Sequence, residues 1–141
     1  MKPNRFSSRS GFTLLEIMLV VVIIGMLVSV AVVKLSGQSA KAKLVATQRQ
    51  IDAYKTALGI YELDNGLFPT QEQGLNALIT QPGALPNWKG PYLDPPVVRP
   101  DPWGHPYIYR YPGQKIPNGF DLFSPGQNGI EGDEDDIGNW Q

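Results

Sequence analysis

The chain has 141 residues, with 12 Lys and Arg against 13 Asp and Glu, one His and no Cys. This length suits one domain with an appendage, and the absence of cysteine excludes disulfides, thiolate metal sites and a cysteine nucleophile. The formal net charge of −1 gives no support for nucleic-acid binding, which requires a basic face.

A basic leader and a long apolar run open the chain. Lys2, Arg5 and Arg9 precede residues 12–33, where Glu16 is the only charged residue. About 20 apolar residues span a bilayer core, so residues 12–34 are predicted to form a transmembrane helix. A cleaved secretory signal is the alternative. However, its apolar region is usually only about 7–15 residues long and carries no acid near its start.

Glu16 is the residue of this run that points most directly to a function. A carboxylate at mid-bilayer costs on the order of 2.5–3.5 kcal/mol and is a functional candidate, although one near the helix end could also reach the headgroups. The stretch SGFTLLE from Ser10 to Glu16 resembles the cleavage signal of type IV pilins and pseudopilins.

This resemblance implies three modifications or contacts at the N-terminus. A prepilin peptidase is expected to remove residues 1–11 by cutting between Gly11 and Phe12, and Phe12 then becomes N-methylphenylalanine. The Glu16 carboxylate is expected to pair with the N-terminal amine of Phe12, either in a neighbouring subunit during assembly or in its own chain, one helical turn away.

Residues 35–66 are predicted to form an amphipathic stem. Its apolar residues recur at spacings of seven, three, four and three, and they are Leu44, Ile51, Tyr54, Leu58 and Tyr61. This periodicity predicts a helix with one apolar face, which ends at Asn65-Gly66. Joined to the transmembrane segment, it predicts one helix from about Phe12 to Glu62.

Residues 67–141 are predicted to form a small head. Thr70 and Gln73 have the spacing of a capping box before a short helix. The proline-rich residues 80–106 predict a long loop, pinned by aromatic side chains at Trp88, Tyr92 and Trp103. Residues 107–111 and 120–123 alternate in polarity and predict two short strands.

The final segment, residues 124–140, has five acids within residues 131–136, interleaved with glycine. By composition it is typical of a solvated acidic tail. Calcium prefers six to eight oxygen ligands, so a calcium loop is the second interpretation, although the spacing differs from that of an EF-hand.

Several motifs resemble the major, G-type pseudopilin of type II secretion systems, namely YELDN at 61–65, FPT at 68–70, DPWG at 101–104 and DDIGNW at 135–140. The resemblance implies calcium bound in the loop 124–140. It implies side-chain ligands at Asn128, Asp135 and Asp136, backbone ligands at Pro125 and Ile130, and Asp133 beside the remaining carbonyl position. Asn128 stands where the family has aspartate, which is expected to weaken binding.

The implied fold class is α+β and type IV pilin-like, with a long N-terminal helix packed on a head that has a short antiparallel sheet. The implied protein is a structural, non-enzymatic subunit with a single inner-membrane pass and a periplasmic head. It polymerises with itself into a pseudopilus that drives export by type II secretion. Its expected partners are prepilin peptidase, minor pseudopilins, the inner-membrane assembly platform, the outer-membrane secretin and secreted exoproteins.

Two other functions fit parts of the sequence. One is a major type IV pilin for adhesion, motility or DNA uptake, although such pilins commonly close their C-terminal region with a disulfide and this chain has no Cys. The other is a monomeric, membrane-anchored calcium-binding module, which needs no cleavage after Gly11. An enzyme is not expected, because His105 has no nucleophile or acid near it in the sequence that is persuasive as a catalytic partner.

Overall fold

The computed structural model describes residues 11–141, and its side chains are described for residues 11–29 and 39–141. The predicted leader, residues 1–11, therefore lies outside the described residues except for Gly11. The chain divides into two compact units, one ending at Ala40 and one spanning Lys41–Gln141, which are described separately.

One long helix, α1, spans Leu14–Asn65. It ends where Gly66 takes a left-handed backbone angle, φ 81°, and donates its N–H to the Glu62 carbonyl at 2.7 Å. A glycine in this conformation is a common helix stop because it has no Cβ to clash. The prediction of one continuous helix ending at Asn65-Gly66 is confirmed.

The first unit carries its apolar side chains on all sides of α1. Leu14 is 80% exposed, Met18 61% and Leu27 66%. These side chains make no core of their own within the described part of the unit. Among residues 11–141, no helix combines the length and the hydropathy that a membrane span requires.

The second unit has a core built on one face of α1. Ile51, Tyr54 and Leu58 are completely buried and Tyr61 nearly so, which confirms the predicted apolar stripe. The prediction was wrong for Leu44, which is 48% exposed. The buried position nearest to it is Thr47, four residues before Ile51, because a 3.6-residue repeat places i and i+4 on one face.

A short helix and a long strap cover this face. Thr70 and Gln73 form the predicted capping box, with Gln73 Oε1 accepting from Thr70 N at 2.9 Å and Thr70 Oγ1 accepting from Gln73 N at 3.3 Å. The helix that follows, Gly74–Leu78, is a 3₁₀ helix. It buries Leu75, Ala77 and Leu78 against the core.

The loop 80–106 is held by aromatic contacts, as predicted. Trp88 Nε1 donates to the Ala77 carbonyl at 2.9 Å, and the Tyr92 ring packs edge-on against Tyr61 at 5.5 Å between centroids. The Tyr54 hydroxyl accepts from Arg99 N at 2.8 Å and donates to the Arg99 carbonyl at 3.1 Å. These bonds satisfy backbone groups that a loop lying over a core would otherwise leave unpaired.

A three-stranded antiparallel sheet completes the head, with β1 at Ile108–Arg110, β2 at Asp121–Ser124 and β3 at Ile137–Gly138 in that order. Tyr109 pairs with Leu122, and Ser124 pairs with Ile137. The strands β1 and β2 were predicted from alternation, whereas β3 was not. Its two residues are too few to show any periodicity, and the pairing comes from the return of the chain to β2.

Candidate functional site

The N-terminus of α1 is organised by Thr13 and Glu16. Thr13 Oγ1 accepts from Glu16 N at 3.2 Å, and the Thr13 carbonyl accepts from Ile17 N at 3.2 Å. Thr13 is thus the N-cap, and Glu16 occupies the third helical position, as in a capping box. A negative charge in the first turn also interacts favourably with the helix dipole. The capping role of Thr13 was not predicted, although the Thr-Leu-Leu-Glu spacing could have revealed it.

The predicted cleavage position lies just before this cap. Gly11 and Phe12 have no regular secondary structure, and the Phe12 residue is 79% exposed. An exposed, non-helical backbone lets a peptidase bind the chain in extended form. Phe12 and Glu16 lie in the same unit and are four residues apart, but among the described residues no hydrogen bond joins them in the uncut chain.

A buried carboxylate, Asp101, fixes the start of the acidic loop 124–140. Its side chain is fully buried, and Oδ1 accepts from Trp103 N at 3.0 Å and from His105 N at 2.8 Å. Ser124 Oγ, at the end of β2, donates to Asp101 Oδ2 at 2.5 Å. The Asp-Pro-Trp-Gly motif is therefore a turn that also anchors the loop.

His105 extends this network into the loop. Its Nδ1 lies 3.0 Å from the Gly126 carbonyl and 3.6 Å from Asp101 Oδ2. Because a carbonyl oxygen only accepts, the bond to Gly126 requires a proton on Nδ1. The structure thus gives the single histidine a role in positioning the loop.

The two ends of the loop approach each other closely. A Cβ atom built on Gly126 would clash with the Asp135 carbonyl oxygen, and Gly126 has a φ of 67°. Both the contact and the backbone angle require glycine. Gly126, which follows the buried Pro125, and Asp135 therefore close the segment between them into a loop.

Inside the loop, the predicted ligand Asn128 is hydrogen-bonded to Asp133, the residue predicted to lie beside the remaining carbonyl position. Asn128 Nδ2 donates to Asp133 Oδ2 at 2.7 Å, and Asn128 Oδ1 accepts from Ile130 N at 2.8 Å. Asp133 Oδ1 accepts from Asp135 N at 2.9 Å. The structure therefore brings Asn128, Ile130 and Asp133 together around one turn, and the carbonyl-type oxygen Asn128 Oδ1 has a second lone pair for a further partner.

Asp136 carries the clearest sign of a missing partner. Its Oδ2 accepts from Gly132 N at 2.8 Å, whereas its Oδ1 is buried and has no hydrogen-bond partner among the described residues. A buried carboxylate oxygen without a partner is unfavourable and is compensated by a hydrogen-bond donor or a cation. The predicted ligand atoms of the loop are all oxygens, as calcium prefers, so the residues present fit a calcium ion.

Acidic side chains alone do not build this site. Within residues 11–141, no group of three or more His, Asp or Glu side chains has the arrangement of a metal centre. The predicted calcium ligands include only two carboxylates with an assigned ligand role, Asp135 and Asp136, and the others are amide and carbonyl oxygens. The absence of a carboxylate cluster from the described residues is thus compatible with the predicted set.

One further contact at the loop was not predicted from the sequence. Arg110 on β1 forms an ion pair with Glu131, one of the five acids. The strand pattern placed Arg110 on a sheet, but nothing in the sequence linked it to a residue 21 positions away. The same holds for Asp101 and Ser124, 23 positions apart.

The chain matches two known protein families. Residues 34–140 match the family described as type II secretion system (T2SS), protein G. Residues 6–32 match the prokaryotic N-terminal methylation motif. The two matches follow one another and together cover most of the chain.

Individual relatives agree with the family match. The chain is 46% identical over 138 residues to the type II secretion system core protein G of Klebsiella michiganensis, with 96% of each chain covered. It is 46% identical over 139 residues to the protein of the same name from Pseudomonas aeruginosa, covering 94% of this chain and 95% of the relative.

A solved structure shares both fold and sequence with the chain. The crystal structure of the major pseudopilin from the type 2 secretion system of enterohaemorrhagic Escherichia coli superposes with a TM-score of 0.63 at 39% identity. The match covers 75% of this chain and 93% of that one. The prediction of an α+β pseudopilin fold is confirmed by this neighbour.

Proposed function

The chain belongs to the family of type II secretion system protein G, and from this premise we propose that it is the major pseudopilin of such a system. In this role it is a structural subunit without enzymatic activity. It polymerises into a periplasmic pseudopilus that moves folded proteins through the outer membrane. The observation that carries the proposal is the family match over residues 34–140, joined to an N-terminal methylation motif at residues 6–32.

The N-terminal segment is proposed to anchor the subunit in the inner membrane by a single pass, residues 12–34, with the head in the periplasm. The exposed apolar side chains of residues 12–28 support this, because apolar surface of that extent is stable only when lipid or protein covers it. Prepilin peptidase is proposed to cut between Gly11 and Phe12 and to methylate the Phe12 amine.

Assembly is proposed to depend on charge pairing at the new N-terminus. Cleavage creates a cationic amine on Phe12, in an apolar stretch whose other charge is the Glu16 carboxylate. Opposite charges in a low-dielectric environment attract strongly, and either charge is costly when it is left alone. Pairing between neighbouring subunits would therefore set their axial register.

The acidic loop is proposed to bind one calcium ion. Asn128, Asp135 and Asp136 would hold it through side chains, and Pro125 and Ile130 through carbonyl oxygens. The ion would neutralise carboxylate charge and give Asp136 Oδ1 the partner that it lacks. Because the ion binds the closed loop and not the unfolded chain, it would stabilise the head by mass action.

Asp133 is proposed to compensate for Asn128. An amide at position 128 has no negative charge, and the carboxylate of Asp133 lies in direct hydrogen-bond contact with it. The turn therefore still has one negative charge, which lies on Asp133 instead of on residue 128. The variant pair Asn128→Asp with Asp133→Asn is expected to bind calcium with similar affinity, whereas Asp133→Asn alone should weaken binding.

The partners that follow from this function are further copies of the chain, minor pseudopilins and the inner-membrane assembly platform. Prepilin peptidase acts on the precursor, and the outer-membrane secretin and the exoproteins meet the assembled filament. Nucleic acid is not among the proposed partners, because the net charge is −1 and residues 12–28 bear no basic side chain.

The test is to delete the gene and to measure the exported enzymes in the periplasm and in the culture medium. Enzymes trapped in the periplasm, and released again when the intact gene is restored, are the expected result. Unchanged secretion together with lost surface fibres, twitching or DNA uptake would contradict the proposal and indicate a type IV pilin.

Mass spectrometry of the protein isolated from membranes tests the processing step. A mature chain that begins with N-methylphenylalanine at Phe12 is expected. A chain that still carries residues 1–11, together with a monomeric state, would instead support a membrane-anchored calcium-binding module.

A further inference from the structure

An exposed ion pair joins the central sheet to the acidic loop. Arg110, the last residue of β1, donates from Nη2 to Glu131 Oε2 in the loop. The two side chains are 34% and 50% exposed. An ion pair this exposed adds little to the overall stability of the fold. Any larger effect of the pair is therefore local and concerns the acidic loop, which the pair links to β1.

The Arg110 side chain makes a second contact that does not depend on Glu131. Its guanidinium carbon lies 5.2 Å from the centre of the Phe123 ring, which is itself buried and packs against Trp140. A guanidinium held over the face of a fixed aromatic ring by a cation–π contact loses less conformational freedom when it forms a hydrogen bond than a free side chain does.

Glu131 is bonded directly to a proposed calcium ligand. The Ile130 carbonyl and the Glu131 N–H belong to one rigid peptide plane, so restricting Glu131 also restricts the direction of that carbonyl. On its other side, Ile130 N donates to Asn128 Oδ1. The ion pair and this bond therefore restrain the two peptide planes that flank the Ile130 Cα, one on each side.

We propose that Arg110 and Glu131 form a latch, a pair of positioning residues that keeps the acidic loop in a calcium-receptive conformation before the ion binds. The inference rests on the proposed calcium loop and goes beyond it, because neither residue is a ligand. Holding a loop in its bound conformation raises affinity by lowering the ordering cost of binding.

A purely electrostatic role makes a different prediction for Arg110. If the field of the charges alone mattered, removing this cation would make the loop more negative, and calcium would bind more tightly. The latch predicts weaker binding instead. Removing Glu131 weakens binding under both explanations, so the sign of the Arg110 effect separates them.

The experiment uses the full chain in detergent, with Tb³⁺ as a probe whose luminescence Trp140 can sensitise, and with calcium as the competitor. Arg110→Gln and Glu131→Gln are each expected to weaken binding roughly two- to five-fold, the range typical of an exposed pair. The exchanged pair, Arg110→Glu with Glu131→Arg, restores the ion pair but not the guanidinium contact with Phe123, so it should recover part of the loss. Arg49→Gln, which removes an exposed cation on α1, is the control for net charge.

Two readouts separate a latch from a merely structural contact. The melting temperature of the ion-free protein should be nearly unchanged in Arg110→Gln, and the loss of affinity should shrink at high ionic strength, where exposed pairs are screened. Unchanged or tighter binding by Arg110→Gln would overturn the latch.

Failure of the calcium site itself has a different signature. If the unaltered chain binds neither Tb³⁺ nor calcium, both the calcium loop and the latch are wrong. If the unaltered chain binds and Asp136→Asn does not, while Arg110→Gln binds as the unaltered chain does, only the latch is wrong.

Discussion

The two parts of α1 place apolar residues in opposite ways. In residues 14–28 large apolar side chains are exposed all around the helix, with Leu14 at 80% and Leu15 at 77%. In residues 51–61 most of them lie on one stripe, where Ile51, Tyr54 and Leu58 have no exposed surface, while Ile60, off this stripe, is 46% exposed. An apolar stripe is typical of a helix that packs on its own domain, whereas an apolar circumference is typical of one that lipid or other chains cover.

This difference separates a head that buries its own apolar residues from an N-terminal segment that does not. The head completes its own core with aromatic residues from the loop and the sheet, such as Tyr107, Tyr109 and Phe120. Burial raises the pKa of both Tyr107 and Tyr109 far above the usual value, so these rings stay neutral. The N-terminal segment has no such partners among the described residues of its own unit, and its function is proposed to depend on surfaces outside the chain.

The largest expected effect concerns Glu16. Glu16→Ala should abolish filament assembly while membrane insertion persists, because the Phe12 amine would be left unpaired in an apolar environment, a cost of about 3–5 kcal/mol. Sheared or cross-linked filaments measure assembly, and flotation with vesicles measures insertion.

Two further variants isolate the charge of Glu16. Glu16→Gln can still take part in a capping box but has no charge, so it should fail as Glu16→Ala does. Glu62→Ala, which removes an acid on the same helix within the head, should assemble normally. Normal filaments from Glu16→Gln would show that capping, and not charge, is what matters.

The second prediction compares how much a buried residue on the apolar stripe and an exposed residue on the same helix contribute to the free energy of unfolding. Leu58→Ala removes a fully buried side chain and should lower the free energy of unfolding of the head by about 2–5 kcal/mol. Leu63→Ala removes a side chain that is 85% exposed on the same helix and should change it by less than about 0.5 kcal/mol. Denaturant unfolding of the full chain in detergent measures both. Equal losses would mean that Leu63 is covered in solution.

The third prediction concerns the acidic loop. At a calcium concentration about 100 times Kd, binding should stabilise the head by about 2.7 kcal/mol, which raises its melting temperature by roughly 10–20 °C. Asp136→Asn should lose most of this rise. Glu134→Gln removes the same charge from an exposed residue with no proposed ligand role, and it should keep the rise. A chelator that leaves the melting temperature unchanged would contradict the calcium site.

The smallest effect is expected at the end of α1. The Lys89 ammonium donates to Asp64 at 2.9 Å and holds the pKa of that carboxyl below its usual value. The stabilisation is therefore complete above the unfolded-state pKa of about 3.9, and it is lost as the pH falls through the lowered folded-state pKa.

Asp64→Asn should accordingly destabilise the head slightly at neutral pH and not at all in strong acid. Unfolding curves recorded across this range measure the difference between the two proteins, with the exposed Asp52→Asn as control. A difference that stays constant down to low pH would show that the hydrogen bond from Tyr92, rather than the ionised pair, carries the effect.

Local sequence patterns determine much of this protein. The helical stripe at Ile51, Tyr54, Leu58 and Tyr61, the capping box of Thr70 and Gln73, and the strands β1 and β2 are all confirmed, because each depends on residues within one or two turns or along one strand. The motif around Gly11 and Phe12 and the acidic loop are likewise short, contiguous segments, and their residues alone pointed to the family.

Only the tertiary structure decided the contacts between distant residues. It placed β3 beside β2, joined Asp101 to Ser124, paired Arg110 with Glu131 and left Leu44 exposed. No local periodicity encodes these contacts, because they depend on how the chain returns to the sheet. Only the structure shows that Asp136 Oδ1 is buried without a hydrogen-bond partner in the described part of the chain, because burial is a property of the folded head and not of the residue type.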